Sequence, residues 1–255
     1  RVPSPAGGPG PGRVHDLLMQ SSNVASLGLP GLQRGASGLA GGGASGNPRS
    51  AVCDGMARKE VFGTSGTRLT VRMYGGYDYT GADIKAADWA KAACAKGVPM
   101  GGDLAAAAEG QVPTFLVQAR KDPDGANLDR IQVVKGWLDA AGKTHEQVFD
   151  VSWSDADKRP RGANGKVPSV GSSVNEREAT YTNDIGATTL TAHWSDPSFD
   201  SSQKAFYYVR VLEIPTPTSL AHDPTNFTPH YDIPATAPHT RTETPTPPTP
   251  AYHPP

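Results

Sequence analysis

Residues 121–137 read "KDPDGANLDRIQVVKGW", three aspartates, an asparagine and a glycine followed at once by alternating apolar residues. The stretch is either an oxygen-rich metal loop or the bend between two strands, and the choice decides what kind of fold surrounds it. An EF-hand loop starting at Asp122 requires oxygen ligands at its fifth position, glycine at its sixth and a glutamate at its twelfth. Here those places hold Ala126, Asn127 and Val133, so the template fails. A looser calcium site built from Asp122, Asp124, Asn127 and Asp129 is the competing reading. Pro123, which presets φ, and Gly125, which permits φ > 0, make a bend the more economical one.

Outward from this bend the text is β-like. "PTFLVQAR", "DRIQVVKGWLD", "THEQVFDVSW", "EATYTND", "TTLTAHWSD" and "AFYYVRVLEI" are short runs rich in β-branched and aromatic residues. Turn clusters such as "DPDGAN", "DAAGK" and "RGANGK" separate them. Upstream, "RLTVRMY" alternates Leu69, Val71 and Met73 with polar residues and supplies a possible seventh strand. The expected fold is mainly β, an antiparallel sandwich-like domain. Helices are expected only upstream of it. "RSAVCDGMARKEVF" places Val52, Cys53, Met56 and Ala57 on one stripe, and "ADIKAADWAKAACAKG" offers Asp83 as a cap and Lys96-Gly97 as a stop.

The ends have a different composition. Gly 29 and Pro 24 amount to about a fifth of the 255 residues, and they crowd into residues 1–48 and the Pro/Thr-rich tail 218–255. Such segments bury too little apolar surface to offset chain entropy, and disorder is the expectation for both. Within the first, only "VHDLLMQSS" reads as a possible helical turn. The resulting division is 1–48 low-complexity, 49–111 mixed helix and strand, 112–217 sandwich, and 218–255 tail.

A formal charge of −1 gives no electrostatic footprint for nucleic acid or an anionic membrane. No apolar run approaches the ~18 residues of a spanning helix. Cys53 and Cys94 lack C-x-x-C spacing and read as separate small side chains. No nucleophile elbow, H-E-x-x-H, P-loop or dinucleotide fingerprint is present. His222, Asp223, His230 and Asp232 are ligand types, but the proline-rich tail supplies nothing to fix them. His145 and His193 read as strand-face residues. The Gly-Thr-Ser-Gly turn at 63–66, with Thr64, Ser65 and Arg68, is the candidate anion site, through backbone N–H groups, hydroxyls and a guanidinium. Trp137, Trp153 and Trp194 are the candidate recognition aromatics, each equally readable as core packing.

Five blocks, "MARKEVFGTSGTRLTVRMYGGYDY", "AKGVPMGGDL", "PTFLVQARKDPDGANLDRIQVVKGW", "KTHEQVFDVSW" and "AFYYVRVLEIPTP", occur in this order. Together they closely resemble the C-terminal part of the bacterial DUF3604 family over roughly residues 35–217. That family looks related to metal-dependent phosphoesterases of the polymerase-and-histidinol-phosphatase (PHP) type. The resemblance implies an α/β barrel whose closing elements are residues 49–111, with the sandwich appended to it. It also implies divalent metal ions, held in the complete protein by G-D-x-H-x-H and D-x-H motifs that this chain does not contain, and a small-molecule ester as substrate. The implied partner is the N-terminal portion of that barrel, with this chain inactive alone and functioning either as a piece of a hydrolase or as a non-catalytic binding or accessory module. At "GLAGGGASGNPRSA", residues 38–51, the chain keeps Gly38, Leu39, Ala40 and Arg49 but departs from the family pattern between them, and it departs again after Pro217. A truncated or frame-shifted reading of a longer gene is the expectation at both ends. The residues do not specify a compartment, and the resemblance leans towards an exported bacterial protein.

Overall fold

The computed structural model describes residues 15–21, 38–46, 48–163, 165–217 and 244–245. Its centre is a hairpin, β7 (Leu128–Leu138) and β8 (Thr144–Trp153), whose register runs from Arg130 opposite Trp153 to Leu138 opposite Thr144. Asp139 turns the hairpin by accepting from the N–H groups of Ala141 and Lys143, which is why "DAAGK" closes the two strands. Strand β10 (Ala205–Glu213) pairs antiparallel with the other edge of β7, and β11 (Thr244–Pro245) follows it, so the first sheet has the order β11-β10-β7-β8.

A second sheet has the order β5-β4-β6-β9, from Gly97–Pro99, Thr70–Gly76, Thr114–Arg120 and Thr189–Ser195. All its pairs are antiparallel. One core joins the two sheets, with Leu69, Val71, Phe115 and Val117 meeting Ile131, Val133, Tyr207, Val209 and Val211. The alternation is visible in the burial of β10, where Ala205, Tyr207, Val209 and Val211 point inward and Phe206 and Tyr208 do not. Two packed antiparallel sheets are the sandwich arrangement expected from the sequence. The strand β4 lies inside the second sheet, between β5 and β6.

A three-stranded sheet, β1 (His15–Ser21), β2 (Gly38–Ala44) and β3 (Val61–Thr64), precedes the sandwich. Residues 15–21, where the sequence permits a helical turn, are therefore strand, because antiparallel pairing with β2 supplies the backbone with partners. The helix α1 (Arg49–Ala57) forms where expected but presents another face. Ala51 and Gly55 are its buried residues, while Met56 is exposed. A Cβ at Gly55 would collide with the carbonyl oxygen of Gly43, so contact between backbones, and not an apolar stripe, seats this helix.

The second expected helix is divided. Residues Asp83–Lys85 form a 3₁₀ turn and α2 spans only Trp89–Lys96. Asp83 lies outside α2 and ties the 3₁₀ turn to its far end, accepting from the N–H and hydroxyl of Thr80 and pairing with Lys96 at 2.6 Å. The Lys96 hydrogen bond, aided by Thr80, lowers the Asp83 carboxyl to about 2. Its stabilising contribution is thus fully present above about pH 4, the ordinary carboxylate value, and is lost as pH falls through about 2. An NMR titration of this carboxyl should show that low midpoint, returning towards the ordinary value in Lys96→Met. "EATYTND" forms no strand; an isolated bridge between Asn175 and Thr180 is its only pairing, since loop hydrogen bonds such as Thr182 to Asp184 engage its side chains locally. Cys53 and Cys94 are exposed and not joined.

Candidate functional site

The acidic stretch is a bend, and its side chains hold it shut. Asp122 accepts from the N–H of Asp124 through one oxygen and from the N–H of Arg68 at 2.8 Å through the other. Burial opposes ionisation of Asp122, but those two N–H groups and the Arg68 charge outweigh it and keep the carboxyl below its usual range. The Arg68 guanidinium also meets Asp124 at 2.6 Å. Asn127 donates to the carbonyls of Asn183 and Ile185, and Lys121 caps the Gly125 carbonyl at 2.7 Å. Asp129 faces elsewhere, accepting from Arg130 at 2.9 Å and from Arg159 at 2.6 Å. The four residues of the looser calcium reading therefore do not converge on one point.

The structure brings Thr64 and Arg68 to opposite ends of one turn. Thr64 is buried; its hydroxyl donates to the Thr67 carbonyl at 2.6 Å and accepts from the Gly66 N–H. Ser65 lies between them, with partners of its own. Arg68 is half exposed, its charge directed at the two carboxylates. As built, the turn binds the aspartate bend to the strand leading into β4.

Around Asp129 the sandwich buries a network of charges. Arg159 donates to Asp129, to both oxygens of Ser154 and to the Pro168 carbonyl. Arg130 adds the Val167 and Pro168 carbonyls and Asp150, and Asp150 in turn accepts from Gln132 and the Val167 N–H. The long loop after β8 is fastened to the sheet through these donors.

The three candidate recognition tryptophans have three separate environments. Trp194, partly buried, packs against the core between Phe115 and Phe149. Trp153 donates to the Arg159 carbonyl and lies beneath the Arg161 guanidinium. Trp137 stacks on His145 with ring centres 5.2 Å apart, at the end of the β7–β8 hairpin. His145 also meets Asp139 at 2.8 Å, and that hydrogen bond, with two backbone N–H groups, lowers the Asp139 carboxyl. An open hollow of about 570 Å³ lies here, lined by Trp137, Leu138, His145, Glu146, Lys204 and Phe206. The Phe206 ring lies against Gly136, where any Cβ would collide with it. His193, by contrast, is bonded to the Tyr79 carbonyl at 3.1 Å.

Sequence reasoning singled out Trp137 as a recognition candidate and read His145 only as a strand-face residue; it did not mark Phe206, whose inclusion depends on a cross-strand partner lacking a side chain. It also missed a buried group between the sheets, in which Lys135 on β7 meets Asp196 just beyond β9 at 2.6 Å and Tyr207 on β10 donates to the same carboxylate at 2.7 Å. Burial first, and then Asp196, push the Tyr207 phenol well above its ordinary range.

His222, Asp223, His230 and Asp232 lie outside the described residues. Among the described residues, no three histidine, cysteine or carboxylate side chains come together as a metal site. No helix among them is long and apolar enough to cross a membrane. Across residues 13–244 the chain matches the family model described as protein of unknown function (DUF3604). No curated protein and no solved structure matches it.

Proposed function

We propose a function for this chain on the premise that it belongs to the DUF3604 family: its described part is a non-catalytic β-sandwich binding module, and the hollow at the end of the β7–β8 hairpin is its recognition surface. The observation that carries this reading is an accessible aromatic face, Phe206 on Gly136, beside charged groups at Glu146 and Lys204. Flat apolar surface with a few polar groups at its rim suits the faces and hydroxyls of a sugar ring, and a carbohydrate is the ligand class proposed.

Metal-dependent phosphoester hydrolysis, which the resemblance to PHP-type enzymes implies, would draw its metal ligands from outside the described residues. Those described do not fit a divalent ion, because the carboxylates of the aspartate bend are turned towards Arg68, Arg130 and Arg159. In that setting the sandwich is an accessory domain, and α1 with β3 would be what closes a barrel. An oxyanion at Thr64, Ser65 and Arg68 would have to compete with Asp122 and Asp124 for one guanidinium, so the geometry favours a stapling role for this turn.

The test is tryptophan fluorescence of the full chain titrated with soluble cello-, xylo- and chito-oligosaccharides. A saturable change is expected from Trp137, with Phe206→Ala weakening binding about tenfold, equivalent to about 1.4 kcal/mol. No response to any of the three series would reject the carbohydrate reading.

A further inference from the structure

We propose that Lys135 and Asp196 join in a side-chain amide, a covalent link between the two sheets. The pair differs from an ordinary surface ion pair in its seclusion. The Lys135 and Asp196 side chains are 3% and 0% exposed, with nitrogen and oxygen 2.6 Å apart. Aromatic rings enclose them: Trp137 lies 5.3 Å from the lysine nitrogen, and Tyr207, which contacts the carboxylate, packs on Phe115.

Every atom required for condensation has a partner in place. Asp196 Oδ1 accepts from the Ser198 N–H at 2.9 Å and from the Ser198 hydroxyl at 3.1 Å. Oδ2 faces the Lys135 nitrogen and the Tyr207 hydroxyl. The Ser198 carbonyl accepts from the same lysine at 2.7 Å and fixes its direction.

In a dry interior, transfer of one proton from the ammonium to Oδ2 removes both charges and leaves an amine beside a carboxylic acid. The nitrogen lone pair then attacks Cγ, forming the C–N bond. The negative charge that develops on Oδ1 meets the two Ser198 donors, as in an oxyanion hole. A second proton passes from nitrogen to Oδ2, the Cγ–Oδ2 bond breaks, and that oxygen departs as water with Tyr207 donating to it. Ammonium and carboxylate become amide and water, with no change of oxidation state and no further reactant. Holding both groups in contact removes the entropic barrier of bringing them together. Residue 197 is proline, which has no N–H, so Asp196 cannot instead cyclise onto the following backbone nitrogen.

Intact mass of the purified full chain under denaturing conditions provides the test. The wild type is expected to be one water lighter than its sequence, and peptide mapping should recover a branched peptide joining Lys135 to Asp196. Lys135→Arg, which keeps the charge, and Asp196→Ala should both show full mass. Asp196→Asn should lose ammonia in place of water. A wild-type chain at full sequence mass overturns the proposal whether or not it melts cooperatively, and so does a water loss that mapping places at any other residue.

Discussion

Asp129→Ala should lower the unfolding free energy by about 3–5 kcal/mol, read as a fall in the urea midpoint at an unchanged slope. The magnitude follows from what remains after the change. Asp129 is the carboxylate between two arginines whose side chains are only 8% and 11% exposed. Without it, the Arg159 guanidinium stays buried among carbonyls, satisfied as a donor but no longer neutralised. The cost is that of an uncompensated buried charge and not of one lost hydrogen bond. Replacing Arg159 by methionine in the same background should recover part of the loss, because the stranded charge is then gone. No recovery would mean that the network acts through its hydrogen bonds to the loop alone.

Phe115→Ala is expected to cost a comparable amount, about 3–5 kcal/mol, by a different route. Its ring is fully buried in β6, stacks with Trp194 and lies 4.6 Å from Tyr207, so it fills the space between the sheets where their aromatic residues meet. Truncation leaves a cavity that these rigid neighbours collapse into only partially. Chemical denaturation measures the loss, and a cost below about 1 kcal/mol would mean that the two sheets do not share this core.

Strands were legible wherever apolar residues alternated or ran unbroken. The run "PTFLVQAR" became a central strand buried on both faces, and "AFYYVRVLEI" became one whose alternate residues point to the core. The bend at 122–127 was legible from its turn-forming residues, but Gly125 does not take the positive φ expected of it; glycine is accommodated there because a Cβ would crowd the Asp122 side chain. What could not be read was anything decided by a distant partner. Arg68 looks like an anion donor until Asp122, 54 positions away, accepts from it. Asp129 looks like a metal ligand until Arg159, 30 positions away, reaches it. The buried face of α1 was misread because the contact is made by Ala51 and Gly55, small residues that carry no hydrophobic signal. Phe206 emerged only once the strand register placed it opposite Gly136. Local patterns encode which way a side chain points relative to its neighbours in the chain; charge pairing and close backbone approach are settled by the tertiary fold.

The two sheets also differ in how their strands are spread along the chain. One is organised around a hairpin whose halves are joined by a five-residue turn, Asp139–Lys143, whereas the other joins Thr70–Gly76 to Thr114–Arg120 and then waits for Thr189–Ser195. Emerging from a ribosome, the hairpin can form as soon as it is made, but β6 keeps an open edge until β9 has been synthesised, and the outer edge of β7 stays open until β10 follows. An edge exposed for that long invites pairing with another nascent chain, and long-range strand pairing is intrinsically slow. The times at which β9 and then β10 arrive thus set how long this chain remains vulnerable to aggregation during its own synthesis.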